Sequence, residues 1–250
     1  LVQMTLITII VIILVGLVLS YTRAAWLSVV GSIGVAFLLY YKISWKPLAI
    51  LAGIGMLVIL LQWDRIQMEL ERNKYEHTTE SFDERLQSAA NISTDASNLE
   101  RINRWSCAIE MFRQRPIFGY GPGTYAFEYA PFQEPENLTI ISTNFGDMGN
   151  AHSEYLGSLA EMGFIGLLSF LSIVACIFYT SITVYHRIPT MERGSRVLVL
   201  TMIMAMSTYF IHAFLNNFLD TDKAAVPIWA MCAMIIAIGL QQDKLATNPK

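Results

Sequence analysis

Six separated apolar runs constrain this chain more than any other feature: residues 2–20, 24–41, 47–62, 164–185, 197–218 and 225–240. A helix needs roughly 20 mostly apolar residues to cross a hydrocarbon core, with a usual range of about 17–25. The third and sixth runs are short, and read as spans with little tilt, spans in thinned bilayer or partly re-entrant segments. Composition agrees with the runs. Hydrophobic residues make up 54% of the chain and charged residues 15%, with a mean hydropathy of +0.45, which argues against an ordinary soluble domain. The fold class expected is all-α: a polytopic membrane protein of about six transmembrane helices with one large, partly helical loop outside.

Lysine and arginine in the short loops orient the spans. One set of loops carries Lys42, Lys46, Arg187, Arg193, Arg196, Lys244 and Lys250; the opposite set carries Arg23 and Lys223. The richer set is read as cytoplasmic. The chain then divides into three transmembrane helices (1–62), a large outer segment with an amphipathic arginine helix (63–151), and three transmembrane helices with a short cytoplasmic tail (152–250). Leu1 in place of methionine reads as a piece of a longer protein or a processed one. The first run lacks the basic start and small-residue cleavage site of a signal peptide, so it reads as a true span.

Cys176 and Cys232 fall in spans, where cysteine behaves as a small apolar residue. Cys107 stands alone in the outer segment and is expected to be buried. The four histidines (77, 152, 186 and 212) are scattered, without metal-ligand spacing.

The outer segment starts with dense charge. Ile66 and Leu70 suggest that the third span continues outward as a helix, and the Ser/Asn/Asp-rich stretch 88–98 reads as a loop. Next comes Glu100-Arg101-Ile102-Asn103-Arg104-Trp105, continuing to Arg113. Ile102, Trp105, Ala108, Ile109 and Phe112 recur at helical steps, and Pro116 ends the run. Two readings are open: a helix lying on the membrane with arginines on lipid phosphates, or a helix that presents Arg101 and Arg104 to a substrate. Gly119-Tyr120-Gly121-Pro122-Gly123 makes a tight turn. With no lysine after it, it is not a P-loop. Tyr125, Phe127, Tyr129 and Phe132 alternate with other residues and read as an extended, packed stretch.

His152, in Asn150-Ala151-His152-Ser153-Glu154-Tyr155, stands at the polar mouth of the fourth span, where an imidazole can exchange protons near neutral pH. It reads as a catalytic base or as a helix cap. Glu154, Tyr155 and Glu161 are placed to orient the first turns of that span. His212, Asn216 and Asp220 recur at steps of four in the fifth span, forming either an interhelical hydrogen-bonding stripe or the wall of a substrate groove.

Taken in order, these segments resemble the O-antigen ligase/polymerase superfamily of bacterial envelope proteins. Ser20-Tyr21-Thr22-Arg23-Ala24-Ala25-Trp26 is similar to its short Ser/Thr-Arg turn between spans. The arginine helix followed by Pro116 and the Gly-x-Gly turn resembles a second element, and His152-Ser153, nine residues, then Gly163-Phe164-Ile165-Gly166 a third. The layout of a large outer loop between helical hairpins resembles the family over nearly all of this chain, which would correspond to a member's C-terminal half.

The resemblance implies metal-independent, cofactor-free, inverting glycosyl transfer on the periplasmic face of the bacterial inner membrane. The donor would be a glycan on undecaprenyl diphosphate. The acceptor would be lipid A–core for a ligase, or another lipid-linked repeat for a polymerase. Membrane lipids are the other expected partners, and no nucleic acid is. Arg23, Arg101 and Arg104 would hold the diphosphate, since arginine binds phosphate through two parallel hydrogen bonds. His152 would serve the acceptor hydroxyl, and His212, Asn216 and Asp220 would line the groove. The competing class is a transporter or sensor with an outer ligand-binding segment; against the transporter, the chain lacks inverted-repeat symmetry.

Overall fold

The computed structural model of the protein describes residues 2–20, 22–43, 61–62, 96–135, 138, 142 and 149–247. Among the described residues every regular element is helical. They are α1 (Val2–Leu19), α2 (Arg23–Tyr40), α3 (Ala96–Gln114), α4 (Tyr125–Glu128), α5 (Glu154–Arg187), α6 (Arg193–His212) and α7 (Asp222–Thr247), with one 3-10 turn, Ala130–Phe132, after α4. The third apolar run, apart from residues 61–62, and its outward extension past Ile66 and Leu70 lie outside the described residues. Ala96, Ser97 and Asn98, expected in a loop, already belong to α3.

α5, α6 and α7 each hold a stretch long and apolar enough to cross a membrane. α1 and α2, with 18 residues each, run about 27 Å at about 1.5 Å per residue, close to the roughly 30 Å hydrocarbon core. Broad exposed apolar surface, such as Ile7, Ile12 and Ile13 on α1 and Phe164, Leu168 and Leu171 on α5, is what lipid-facing helices present.

α5, α6 and α7 pack through Val184, Tyr185, Val199, Ile203, Met206, Phe210, Ile228 and Ile235. α2 lies along α6 on a row of small residues. Ser28 and Ser32 are buried, each hydroxyl donates back to its own helix, at 2.7 Å to Ala25 O and 2.8 Å to Val29 O, and Gly31 sits against the Ile211 side chain. Small residues let two backbones approach where lipid supplies no hydrophobic drive between helices.

The helix ends sort by charge. Tyr40, Tyr185, Arg193 and Arg196 surround one cavity, and Arg187 meets Asp243 at 3.3 Å nearby on the surface. The α5 N-terminus and the α6 C-terminus meet at the other end, where Glu154 N donates to Ala213 O at 3.0 Å. The fifth apolar run does not stay helical to 218. α6 stops at His212, and residues 213–221 form turns and irregular chain.

The 34-residue α5 is broken at Gly163, whose φ of 66° and ψ of −162° no helix contains. The backbone groups freed by the break are taken up by the glycine turn. Phe164 N donates to Pro116 O at 2.8 Å, Tyr120 N to Ala160 O at 3.3 Å and Gly121 N to Glu161 O at 2.7 Å. Buried amides and carbonyls must be paired somewhere, and here a second segment replaces the lost helical rungs. The approach is too close for side chains. A Cβ on Gly163 would sit 2.4 Å from Ile117 O, and one on Gly119, itself at φ 65°, 2.4 Å from Glu161 O. The two glycine motifs are therefore halves of one strap.

Candidate functional site

The polar end of the bundle is built around α3. Its buried face only partly follows the apolar row read from the sequence: Ile102 and Ala108 are buried, Trp105 and Phe112 are only partly covered, and Ile109 is exposed. Glu100, Asn103, Arg104, Cys107 and Met111 complete the inward face. That face holds because its polar groups are paired. Glu100 accepts from Arg104 Nε at 2.7 Å and from Ser142 Oγ, and Asn103 Nδ2 donates to Gln133 Oε1 at 3.2 Å. The Arg104 guanidinium lies 4.3 Å over the Tyr129 ring.

The aromatic run is not extended. Tyr125 and Tyr129 sit one helical turn apart, their rings stacked at 5.3 Å and 4°. Tyr125 OH donates to Arg104 O at 2.7 Å. Burial raises the Tyr125 phenol above its ordinary pKa and pushes the Cys107 thiol up to about 12. Both stay protonated, and Cys107 is chemically quiet.

Glu161 completes the strap. One carboxylate oxygen accepts from Gly123 N at 2.9 Å and the other from Tyr125 N at 3.0 Å. Glu154 fastens the opposite side. Its buried carboxylate accepts from Tyr209 OH at 2.5 Å, Phe218 N at 2.7 Å and Leu219 N at 2.8 Å, while Tyr155 OH donates to Phe210 O at 3.0 Å. These three residues do orient the start of α5, by tying it to α4, to the last turns of α6 and to the chain that follows α6.

Between the two fastenings lies the segment 149–153. Gly149 packs on Arg104 and Tyr129 so closely that a Cβ there would overlap the Arg104 guanidinium, with Tyr129 Cε1 at 2.5 Å. His152 adopts a left-handed φ of 46°, with its amide donating to Asn150 Oδ1 at 3.0 Å. A non-glycine residue there is strained by about 1–3 kcal/mol and persists only where its surroundings hold it. Ser153, not His152, caps α5, its Oγ accepting from Leu156 N at 3.3 Å. The helix-cap role considered for His152 is thus filled by its neighbour, and the imidazole is left for other work.

The His152 pKa does not lie near neutrality. Burial, then the positive fields of Arg101 and Arg104, outweigh Glu100 and pull it down to about 4. The ring is neutral at pH 7, with one nitrogen able to accept a hydrogen bond. Arg101 is within electrostatic reach of His212 as well.

Asn216 Nδ2 and His212 Nε2 share a 2.6 Å hydrogen bond. Because α6 ends at His212, Asn216 and Asp220 are not on one helical stripe with it. Asn216 folds back onto His212 from the irregular chain, and Asp220 is exposed in the turn before α7.

Arg23 opens α2, after a turn in which Trp26 Nε1 donates back to Leu17 O at 2.9 Å. It stands eight residues, about 12 Å along the axis, beyond the contact of Gly31 with Ile211. That places its backbone at the same end of the bundle as His212; the Arg23 side chain lies outside the described residues. The structure therefore gathers Arg101, Arg104, His152, His212 and Asn216. Among the described residues no group of three His, Cys, Asp or Glu side chains could hold a metal ion.

A family model described as O-antigen ligase matches residues 8–171. The chain belongs to the O-antigen ligase family. The match runs from α1 across α3, the glycine turn and His152 into α5. Membership carries, at family level, glycan transfer of the O-antigen ligase or polymerase type in a membrane. No curated protein and no solved structure shows a significant match.

Sequence reasoning gave no role at this end of the molecule to Gly149 or Asn217, took Glu100 only as the start of the arginine helix, and read Tyr129 only as one ring of a packed stretch. A signal existed only for Glu100, which stands four residues before Arg104, the spacing at which a carboxylate and a guanidinium meet on a helix.

Proposed function

We propose that this protein transfers a glycan from undecaprenyl diphosphate to a hydroxyl of a membrane-anchored acceptor, on the periplasmic face of the inner membrane. The reading rests on one observation above all. The α3 arginines and His152, distant in sequence, act on one another electrostatically.

In this reading Arg101, which is only partly buried, grips the diphosphate, and Arg23 approaches it from the start of α2. Arg104 is held by Glu100 and Tyr129; it adds its field from behind and positions the 149–153 segment. The acceptor hydroxyl donates to neutral His152. Its oxygen attacks the anomeric carbon, the carbon–oxygen bond to the diphosphate breaks with inversion, and the electron pair leaves on the phosphate oxygen. The hydroxyl proton passes to His152. Charge developing on the leaving group is stabilised by guanidinium groups already in place. A bound diphosphate also offsets the positive field that depresses His152, so the ring becomes more basic as the donor arrives.

With lipid A–core as acceptor the activity is that of an O-antigen ligase; with a second lipid-linked repeat it is that of a polymerase. The test is transfer by the full chain in native membranes. His152→Ala and Arg101→Lys are each expected to lower transfer about 10²-fold or more, the usual contribution of a general base or of one group that stabilises charge developing in the transition state, at unchanged membrane abundance. Transfer at the wild-type rate in His152→Ala would overturn the assignment.

A further inference from the structure

At the end of the bundle opposite His152, a cavity of about 520 Å³ lies between the ends of α2 and α5 and the first two turns of α6. Its volume falls in the roughly 300–1,000 Å³ range of small-ligand sites. Arg193, Arg196 and Thr190 supply its polar walls, and Val197, Leu200 and two tyrosines the rest; none of its lining residues is acidic.

The charge around this cavity is not compensated by the protein. A helix N-terminus already carries about half a positive charge, so acids are favoured there and cations are not. α6 nevertheless begins with Arg193 and Arg196, three residues apart and neighbours on one face, and has no acid in its first turn. Its N-cap residue, Glu192, makes no capping bond; the Glu192 carboxylate accepts from Gln242 Nε2 on α7 at 2.8 Å. Arg187, the other arginine nearby, is met by Asp243 at 3.3 Å. Among the described residues neither Arg193 nor Arg196 is in an ion pair. The Arg196 guanidinium lies 4.7 Å over the ring of buried Tyr185, itself part of the cavity wall.

Two guanidinium groups and a hydroxyl, with the field of a helix N-terminus behind them, suit an anion rich in oxygen acceptors. Arginine binds phosphate through forked, parallel hydrogen bonds. The apolar walls bear on what carries the phosphate. Val197 is exposed and follows Arg196 directly along α6, and Leu200 lies one turn further on. A free ion gains nothing from such a wall, whereas an acyl chain does. We propose that this cavity binds a phosphate group, carried as the head of an anionic membrane lipid whose chain runs along Val197 and Leu200. Basic pockets between membrane helices hold lipid phosphates by the same chemistry. A bound phosphate also offsets the like charges of the first turn and so stabilises the start of α6. The site is separate from the arginines of α3 and does not rest on the transfer reading.

The experiment uses the full chain in phosphatidylcholine nanodiscs doped with a phosphatidylglycerol that carries a diazirine high on one acyl chain. Photolabelling is expected to saturate and to map to Tyr40 and residues 197–200. Unlabelled phosphatidylglycerol should compete, and inorganic phosphate in the buffer should not. Arg193→Gln should weaken that competition at least about tenfold, the worth of one charge-assisted hydrogen bond. Arg193 is exposed, so this variant probes the site without disturbing packing. Arg187→Gln is the control: it removes the same charge from the same end of the molecule, but from outside the cavity, and should leave competition unchanged. The melting temperature of the wild type should rise with phosphatidylglycerol content, and that of Arg193→Gln should respond less.

Labelling spread over all lipid-facing helices, or equal losses in Arg187→Gln and Arg193→Gln, would mean that the lipid merely follows the net charge of that surface, and would overturn the inference. So would competition unchanged in Arg193→Gln. Displacement of the label by inorganic phosphate would overturn the lipid as the ligand and assign the phosphate to solution. None of these outcomes touches the transfer reading, which stands or falls with His152→Ala.

Discussion

Replacing Gly163 with alanine adds one methyl at the point where two segments touch backbone to backbone. The Cβ would lie 2.4 Å from Ile117 O and 2.5 Å from Ile117 C, and backbone cannot swing aside as a side-chain end can. Keeping the kink forces alanine into a conformation that costs about 1–3 kcal/mol. Moving the strap away breaks the bonds from Phe164 N, Tyr120 N and Gly121 N, each worth about 0.5–1.5 kcal/mol net. The first route adds a severe clash to the strain, and the second loses about 1.5–4.5 kcal/mol, partly recovered as α5 straightens through a residue that favours helix by about 1 kcal/mol over glycine. The cheaper route sets the cost, about 1–3 kcal/mol net. For a chain of this size that lowers the melting temperature by about 2–12 °C. Thermal unfolding of the purified protein in detergent measures it. Gly194→Ala is the control: a Cβ there meets nothing within 4 Å, so stability should hold or rise slightly. Transfer should fall in Gly163→Ala beyond what stability explains, because the strap also carries Tyr125 and, through it, Arg104. A Gly163→Ala protein with an unchanged melting temperature and full transfer would refute the strap.

Arg104→Ala should destabilise the protein by about 3–5 kcal/mol, because it breaks the buried 2.7 Å Glu100–Arg104 ion pair from one side; the Glu100→Gln/Arg104→Gln double variant should recover most of that loss, and a denaturation series on the two proteins decides it. The low His152 pKa makes stability pH-dependent. The unfolded chain binds a proton at about 6.5 and the folded protein only at about 4, so the unfolded state holds more protons between those values and stability falls as pH drops through that window. His152→Ala should flatten the stability curve between pH 6.5 and 4, and an unchanged slope would mean the ring is solvated.

The spans were legible because hydropathy is a local property. α1, α2, α5 and α7 fall where the apolar runs stand, and α3 where charge and helical period coincide. The glycine turn and the Gly-x-x-G motif were each visible as well, but not that they are one object. A helix break is tolerable only if its freed backbone groups find partners, and those partners lie on a segment forty residues earlier in the chain. The same holds for the end of α6. Apolar composition continues to Phe218, yet the chain turns at Ala213 because Glu154 collects the amides of Phe218 and Leu219. Counting alone placed Asn216 and Asp220 on a stripe for want of that carboxylate.

Sequence by itself determined the membrane class, the order of the long described helices α1, α2, α3, α5, α6 and α7, the family and the position of His152 just before α5. All of these follow from residue type and spacing along the chain. Tertiary structure alone decided that Glu100, Asn103 and Arg104 join the buried face of α3, that Ser153 rather than His152 caps α5, and that the imidazole is neutral near pH 7. Desolvation and the fields of Arg101 and Arg104 act across space, and both depend on distances that no sequence interval encodes.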